Sequence, residues 1–561
     1  MANQISEQGK TVALELNGYT IQALAGQPLS TLADQEQAKH DSPIVGAKYN
    51  QEVVDLYTKV AEPGSLEFLD LRTEAGLRIY RQSLIFLLTR AVYEMFPKRK
   101  VIVGHSLGNS YFCQFKDITT VSPFDLMNLE TKMRKLVEAN DPIVPQRISV
   151  ENAVRILAAF GHDEKASLLE SLQWEDVVIH SSGSFSNYSY SSLTPGTGIL
   201  DTFKLEPFNN GFLLRYPAVE DPSVVAPFTG LHKLEYIFRE SEEWARILGV
   251  SNLAGLISIL AKDPGDSNNL INVAEALHEK KIASIADQVY SRRDHIKLIL
   301  IAGPSSSGKT TFTQRLAIQL RVLGLQSIPI SVDNYFVDRD LTPKDERGEY
   351  DYESLKAIDL PLFNQQLKML IERQEIECPV FSFQRGMREE QGKKILAHKN
   401  SIIIIEGIHG LNEELTASIA RENKYKIYIS ALTQNSIDYH NRISTTDTRL
   451  IRRMVRDNRY RGVDAKQTLS RWPSVRRGEE RNIFPYQEDA DMMFNSALFY
   501  EFCILKKYAQ PLLESIQKED NEFSDAQRLL NLLDHFPEIS DSHVPYNSIL
   551  REFIGNSCFL H

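Results

Sequence analysis

Apolar and polar residues alternate over Thr11–Leu16 and again over Tyr19–Leu24, with Asn17-Gly18 between them. That pattern predicts a β-hairpin closed by a two-residue turn. Pro28–Gln35 predicts a short helix and Ser65–Leu71 another strand, so the chain opens on a small β-rich module with one helix. From Glu74 to Glu220 the pattern is mixed. Tyr80–Phe96, Ser122–Ala139 and Ser149–Phe160 predict helices, the second with Ser122 as N-cap and Pro123 in its first turn. Ser181–Ser192 is rich in Ser and Tyr and reads as loop and strand. Leu231–Leu260 and Asn269–Tyr290 read as mostly helical, on either side of a turn at 262–266, and together suggest a helical connector.

The second half changes character. Ile296–Ala302, Ser327–Val332, Pro379–Phe383, Ser401–Ile405 and Tyr425–Ser430 are apolar runs of strand length, most of them separated by helical stretches. Strands alternating with helices imply a parallel sheet with right-handed crossovers, an α/β architecture. A run such as Ile402–Ile405 suits a strand covered on both faces.

A length of 561 residues predicts three or four domains. The 42% apolar and 24% charged content is that of a globular protein with a core. A net charge of −11 argues against a protein that coats nucleic acid. Cys113, Cys378, Cys503 and Cys558 are scattered, which suits reduced structural thiols. The polar N-terminus and the absence of a long apolar run lead to the expectation of a cytoplasmic protein.

Gly303-x-x-x-x-Gly308-Lys309-Thr310 is a complete P-loop signature, preceded by a predicted strand and followed by a predicted helix over Thr311–Leu323 that Gly324 closes. Strand, loop and helix are the arrangement the chemistry needs. The glycines let backbone N–H groups turn inward, and the helix N-terminus adds partial positive charge. Gly303, Ser305, Ser306, Ser307, Gly308, Lys309, Thr310 and Thr311 are the expected ATP-binding residues. Lys309 is expected on the β- and γ-phosphates and the Thr310 hydroxyl on Mg²⁺.

Asp333 ends the second apolar run and so falls beyond the carboxyl end of a strand, where ligands bind in open parallel sheets. A carboxylate there can accept the proton of an attacking hydroxyl. Glu406 follows four isoleucines and is expected to serve Mg²⁺. His409 reads as a packed or capping histidine. Arg449, Arg452, Arg453 and Arg456 recur at i, i+3, i+4 and i+7, one helical face of like charge that a polyphosphate would relieve. They are expected to form a mobile lid over the γ-phosphate.

These segments resemble the uridine kinase and phosphoribulokinase family. The likeness rests on 303–311, 331–335, Tyr350-Asp-Tyr352, 379–388, 405–408 and 446–457, in the family's order. The resemblance implies a P-loop nucleoside kinase domain at 291–520. In it Asp333 is the base for a ribose 5′-hydroxyl, and Tyr335, Asp351 and Phe381 contact the acceptor. Glu406 and Thr310 serve the metal, and Lys309, Arg449, Arg452 and Arg456 act on the transferred group. Where pyrimidine nucleoside kinases carry a Tyr and a His, this chain has Phe381 and Gly386, a pocket with fewer polar readers of the base.

Residues 1–72 resemble the TGS domain of threonyl-tRNA synthetase, a β-grasp fold, and 73–220 its editing-type α+β domain. The likeness is carried by Gly76–Ser83, Phe96–Val101 and Pro195–Leu205. The synthetase's metal-binding positions fall on Gln82, Phe86, Ser189 and Leu193, a set unsuited to zinc. This half is therefore not expected to edit; RNA contact, metabolite sensing and assembly stay open for it, and homo-oligomerisation stays open for the protein as a whole. The remaining boundaries are a helical connector at 221–290 and a C-terminal tail at 521–561.

The leading function is an ATP- and Mg²⁺-dependent nucleoside kinase, uridine kinase-like. The alternatives are a kinase of another small alcohol or sugar phosphate, and a nucleotide-switched RNA- or ribosome-binding regulator. Asn423-Lys-Tyr-Lys426 lacks the Asp of a guanine-reading motif, which counts against the switch.

Overall fold

The computed structural model describes residues 11–116, 120–261, 264–344, 348, 350–382, 385–433 and 436–559. Strands β1 (Thr11–Leu16) and β2 (Tyr19–Leu24) form the expected hairpin, with Asn17 and Gly18 both at positive φ in the turn. Helix α1 (Leu29–Glu36) follows, then β3 (Ile44–Tyr49), β4 (Glu52–Val54) and β5 (Gly64–Asp70). The sheet order is β2-β1-β5-β3-β4, with β1 and β5 parallel at its centre. Leu14 and Leu16 face inward and meet Leu29 and Leu32 of α1, which is why the alternation of β1 was legible.

Helix α2 (Glu74–Met95) begins at Thr73, whose hydroxyl accepts the Gly76 N–H. It is buried along most of its length, under β6 (Val101–Ser106), β7 (Ser110–Phe115) and α3 (Pro123–Ala139). Ser122 caps α3 as its sequence predicts, and Asn140 ends it in the left-handed region. Next come β8 (Val144–Ser149), α4 (Val150–Ala159), α5 (Asp163–Ser171), β9 (Asp176–Ser182) and β10 (Phe185–Tyr188). Then β11 (Lys204–Phe208) and β12 (Gly211–Arg215) complete an antiparallel sheet, β11-β12-β7-β6. The Ser/Tyr-rich stretch is thus part of the β9–β10 hairpin, turned at Gly183.

Helices α6 (His232–Leu248), α7 (Leu253–Leu260) and α8 (Pro264–Ser291) come next. The predicted turn at 262–266 falls partly on Lys262 and Asp263, outside the described residues, and α8 starts at Pro264, earlier than expected. These helices share one apolar core with the second half, so they are structural members of it and not a separate connector. Arg315 pairs with Glu275 and Glu279 of α8 at 3.3 and 2.7 Å.

The second half is built on β13 (Leu298–Ala302), α9 (Lys309–Val322), β14 (Gln326–Ser331) and α10 (Leu360–Ile371). Two small hairpins follow: β15 (Ile376–Cys378) with β18 (Lys393–Ile395), and β16 (Phe381–Ser382) with β17 (Met387–Arg388). Then come β19 (Ser401–Glu406), β20 (Lys424–Ser430), α11 (Thr445–Arg461), α12 (Ala465–Asn482), β21 (Met492–Asn495) and α13 (Glu501–Glu514). The main sheet runs β14-β19-β13-β20-β21, every pair parallel. Leu298 and Leu300 face α10 on one side, and Ile299 and Ile301 face α9 on the other. Burial on both faces explains the unbroken apolar runs.

Two expectations are corrected here. Pro379–Phe383 does not join this sheet: its described part forms the two-residue strand β16 of a separate hairpin, and Phe383 lies outside the described residues. The fifth strand is β21, too short to stand out in the sequence. The expected C-terminal tail is, over its described residues 521–559, part of the fold. Helix α14 (Phe523–Asp534) packs on α13, and α15 (Arg551–Ile554) is buried against α11. Among the described residues no helix is long and apolar enough to cross a membrane.

The two halves interlock. Residues 436–444, between β20 and α11, pack on the N-terminal half, where Gln82 donates to Asn441 Oδ1 at 3.0 Å. Lys165 faces Asp438 at 3.4 Å with both side chains buried, and Arg442 donates to Ser106 Oγ at 2.9 Å. Phe86 stacks edge-on against Phe185, Leu193 is in the same apolar core, and Ser189 bonds the carbonyl of Ser191.

Candidate active site

Register alone brings the site together. Glu406 lies opposite Ile301 on one side and Ser331 on the other, so the ends of β13, β14 and β19 form one row. Gly303 is two residues past Ile301 and Asp333 two past Ser331, so P-loop, aspartate and glutamate meet at the carboxyl edge of the sheet. The loop needs its glycines. A Cβ on Gly303 would lie 1.9 Å from the Ile429 carbonyl oxygen, and Gly308 has φ +83° at the start of α9.

Lys309 Nζ donates to the carbonyls of Gly303 and Pro304 at 3.0 and 3.1 Å. The hydroxyls of Ser306 and Ser307 are buried without a hydrogen-bond partner in the protein. Unpaired buried hydroxyls are costly, and in a loop of inward-facing N–H groups they fit a phosphate cradle. Thr310 Oγ1 donates to Glu406 Oε1 at 2.7 Å. Burial pushes Glu406 up to about 7, against the pull of Lys309 and the Thr310 hydroxyl. Burial also raises Asp333, with Lys309, Arg461 and Arg456 acting to lower it. Both carboxyls thus lack enough positive charge around them, a set of oxygen donors that fits a divalent cation. His409 is buried and held down to about 4 by that burial, so it is a neutral packed side chain, as its sequence context suggests.

The arginine face divides. Arg449 forms a bidentate pair with Glu479 of α12 and reaches the Ser305 carbonyl at 3.3 Å. Arg453 donates to Ser305 Oγ at 2.9 Å, and Arg456 pairs with Asp457 while its charge acts on Asp333. Arg452 does not belong to the site. It is fully buried on Glu501 and on Ser496, at 2.6 and 2.8–3.2 Å. Helix α11 as a whole is packed on α12, α13 and α15, so it is a core helix and not a detached lid.

Tyr335 is also corrected. Its ring is buried edge-on against Phe363 and its hydroxyl donates to Gln366 at 2.8 Å, so it is a packing residue under the site. Asp351 shapes a turn by accepting the Glu353 N–H at 3.2 Å. That turn carries Glu353, which sequence reasoning missed, into the site. Burial pushes Glu353 up to about 7, the Glu479 charge adds to the shift, and Arg453 opposes it. Phe381 half-covers the aromatic wall formed with Phe336, at 5.6 Å between ring centres, and its N–H donates to Asn334. Gly386 turns at φ +71° with the Arg339 guanidinium 2.7 Å from where a Cβ would be.

Two further carboxylates were missed because they lie far along the chain. Glu479 accepts the Ser305 N–H at 3.0 Å; burial raises it, but Arg449 and Arg476 outweigh that and hold it below its ordinary value. Glu552 accepts both the N–H and the hydroxyl of Thr311, at 3.1 and 2.9 Å. No local motif marks either residue.

A P-loop at the head of a five-stranded parallel sheet, with acids on the neighbouring strands, is the site of a P-loop kinase. Residues 298–498 match the Phosphoribulokinase / Uridine kinase family. The N-terminal region is similar to threonine–tRNA ligases. One from Symbiobacterium thermophilum is 33% identical over 162 residues, which is 29% of this chain and 25% of that protein. The chain thus spans about a quarter to a third of the length of the curated relatives it matches. Among solved structures, a possible uridine kinase from Bacillus stearothermophilus is 19% identical with TM-score 0.25, covering 37% of this chain and 97% of its own. A D-glycerate 3-kinase from Cryptococcus neoformans is 13% identical with TM-score 0.23, covering 46% and 87%.

Proposed function

We propose that the protein transfers the γ-phosphoryl group of ATP to the 5′-hydroxyl of a nucleoside. The observation that carries this is the meeting of Lys309, Thr310, Asp333 and Glu406 at one sheet edge. A kinase needs a phosphate cradle, a cation site and a carboxylate for the acceptor hydroxyl, and each is within reach of the others. Thr310 and Glu406 would hold Mg²⁺, which when bound neutralises charge on the phosphates. The serine hydroxyls and N–H groups of the loop bind the triphosphate, and Lys309 moves from its loop carbonyls onto it. Arg453 and Arg456 stand over the transferred group, while Asp333 takes the proton of the acceptor oxygen.

The aromatic wall of Phe336 and Phe381 suits the flat face of a base, with Asp351 and Glu353 at the ribose side. A second reading, a sugar phosphate or other small alcohol as acceptor, is favoured by one observation: Gly386 brings no side chain of its own to read a base. The N-terminal half is read as a scaffold against which the kinase segment around Asn441 packs; RNA contact through its outer surface belongs to this proposal too.

The test is ADP release from Mg·ATP with uridine, cytidine, purine nucleosides, sugar phosphates and D-glycerate offered one at a time. ADP release dependent on a nucleoside, with the product phosphorylated at the 5′ position, supports the reading. Release with only a sugar phosphate or glycerate moves the protein to the second reading.

A further inference from the structure

The C-terminal segment has no part in the mechanism above, yet it touches the P-loop directly. Ile549 is fully buried against Gly308, with its Cγ2 2.5 Å from where a Cβ on that glycine would stand. Three residues on, Glu552 Oε2 accepts the N–H of Thr311 at 3.1 Å and its hydroxyl at 2.9 Å. The segment is pinned in place. Arg551 bonds the carbonyls of Asp541 and Val544, Ser548 Oγ accepts the Leu550 N–H, and Phe553 lies under the Arg452 guanidinium at 5.0 Å.

Thr311 is the third residue of α9, so its N–H has no partner inside the helix. The N–H groups at the head of a P-loop helix are the donors that cradle the α- and β-phosphates. A carboxylate and a phosphate oxygen cannot share that N–H, and two anions there repel. The Glu552 charge is felt across the site, since it acts to raise Glu406. We infer that the segment Ser548–Gly555 is an internal competitor for the nucleotide: the Glu552 carboxylate stands where the loop takes the α-phosphate, and must swing out before ATP seats fully. The inference rests on the ATP reading of the P-loop.

The consequence is an ATP affinity held below what the loop alone supports. Removing a charge-assisted hydrogen bond that competes for the Thr311 N–H strengthens ATP binding by roughly tenfold or more. The experiment is displacement of a fluorescent ATP analogue by Mg·ATP from the full chain, in wild type, Lys309→Ala, Glu552→Gln and Glu552→Asp. Gln keeps the shape and removes the charge. Asp keeps the charge and withdraws it from Thr311, which serves if the Gln variant does not fold. The expected result is ATP binding in wild type, its loss in Lys309→Ala, and binding about tenfold tighter in either Glu552 variant. Wild-type binding with equal or weaker affinity in the folded Glu552 variants overturns the competitor and leaves the kinase reading standing. No Lys309-dependent binding in wild type or in the Glu552 variants overturns both.

Discussion

Arg452 is the residue on which the sequence pattern and the structure part most clearly, and its replacement separates a structural arginine from a catalytic one. Its guanidinium is fully buried and bonds Glu501, Ser496 Oγ and the Ser496 carbonyl. Arg452→Ala leaves Glu501, 1% exposed, without its cation. Breaking a buried pair by removing one partner costs about 3–5 kcal/mol. At roughly 2–4 °C per kcal/mol for a domain of this size, the unfolding midpoint of the kinase part falls by about 6–20 °C. Burial already raises Glu501, with Arg452 opposing. Without Arg452 its folded pKa rises further above its unfolded value, so the loss of stability grows as pH rises and shrinks as Glu501 takes up a proton. Arg452→Met/Glu501→Leu, which removes both charges, recovers most of the midpoint. The assay is thermal unfolding between about pH 5.5 and 8, with turnover measured well below the transition. A variant with an unchanged midpoint and a turnover lowered a hundredfold would refute the structural assignment and restore Arg452 to the site.

Arg453→Ala should do the reverse: little change in midpoint and about 10²–10³-fold slower turnover, since it stands on the P-loop at Ser305. Glu406 is pushed up to about 7, so the apparent Mg²⁺ affinity should weaken about tenfold per pH unit as pH falls below about 7. Isothermal titration against pH reads this, and Glu406→Gln should flatten the profile while weakening the binding. Without Mg²⁺, a carboxyl raised above its unfolded value makes the folded state lose stability as pH rises from about 4.5 through about 7, a trend that thermal scans check. Cutting away residues 1–220 should give a kinase fragment that aggregates, because it uncovers Leu234, Ile237 and Tyr428 and leaves Asp438 without Lys165; light scattering measures it.

What was legible in the sequence was local. The P-loop announces itself because strand, glycine loop and helix are contiguous, and Glu406 stands out because four isoleucines precede it. The N-cap at Ser122 lies next to the helix it starts. The arginine stripe was visible, but not its division. Residues at i, i+3, i+4 and i+7 spread over a wide sector, and packing between α13 and the P-loop sends Arg452 to one side and Arg453 to the other. Glu479 and Glu552 reach the loop from distant segments, which only the tertiary fold supplies. The family resemblance puts Tyr335 on the substrate, and the turn Val332–Tyr335 instead rotates it inward under α10. The docking of the Asn441 segment on the N-terminal half left no trace in periodicity.

The central claim is phosphoryl transfer to a hydroxyl oriented by Asp333. The measurement that tests it most directly is single-turnover transfer from γ-labelled ATP to the acceptor that supports turnover, in wild type and in Asp333→Asn, with the ATP dissociation constant measured in parallel. ATP affinity should agree within about threefold between the two proteins, with the Asp333→Asn transfer rate lowered by about 10²–10⁴, the share of a positioned general base. Equal transfer rates in the two proteins would contradict it.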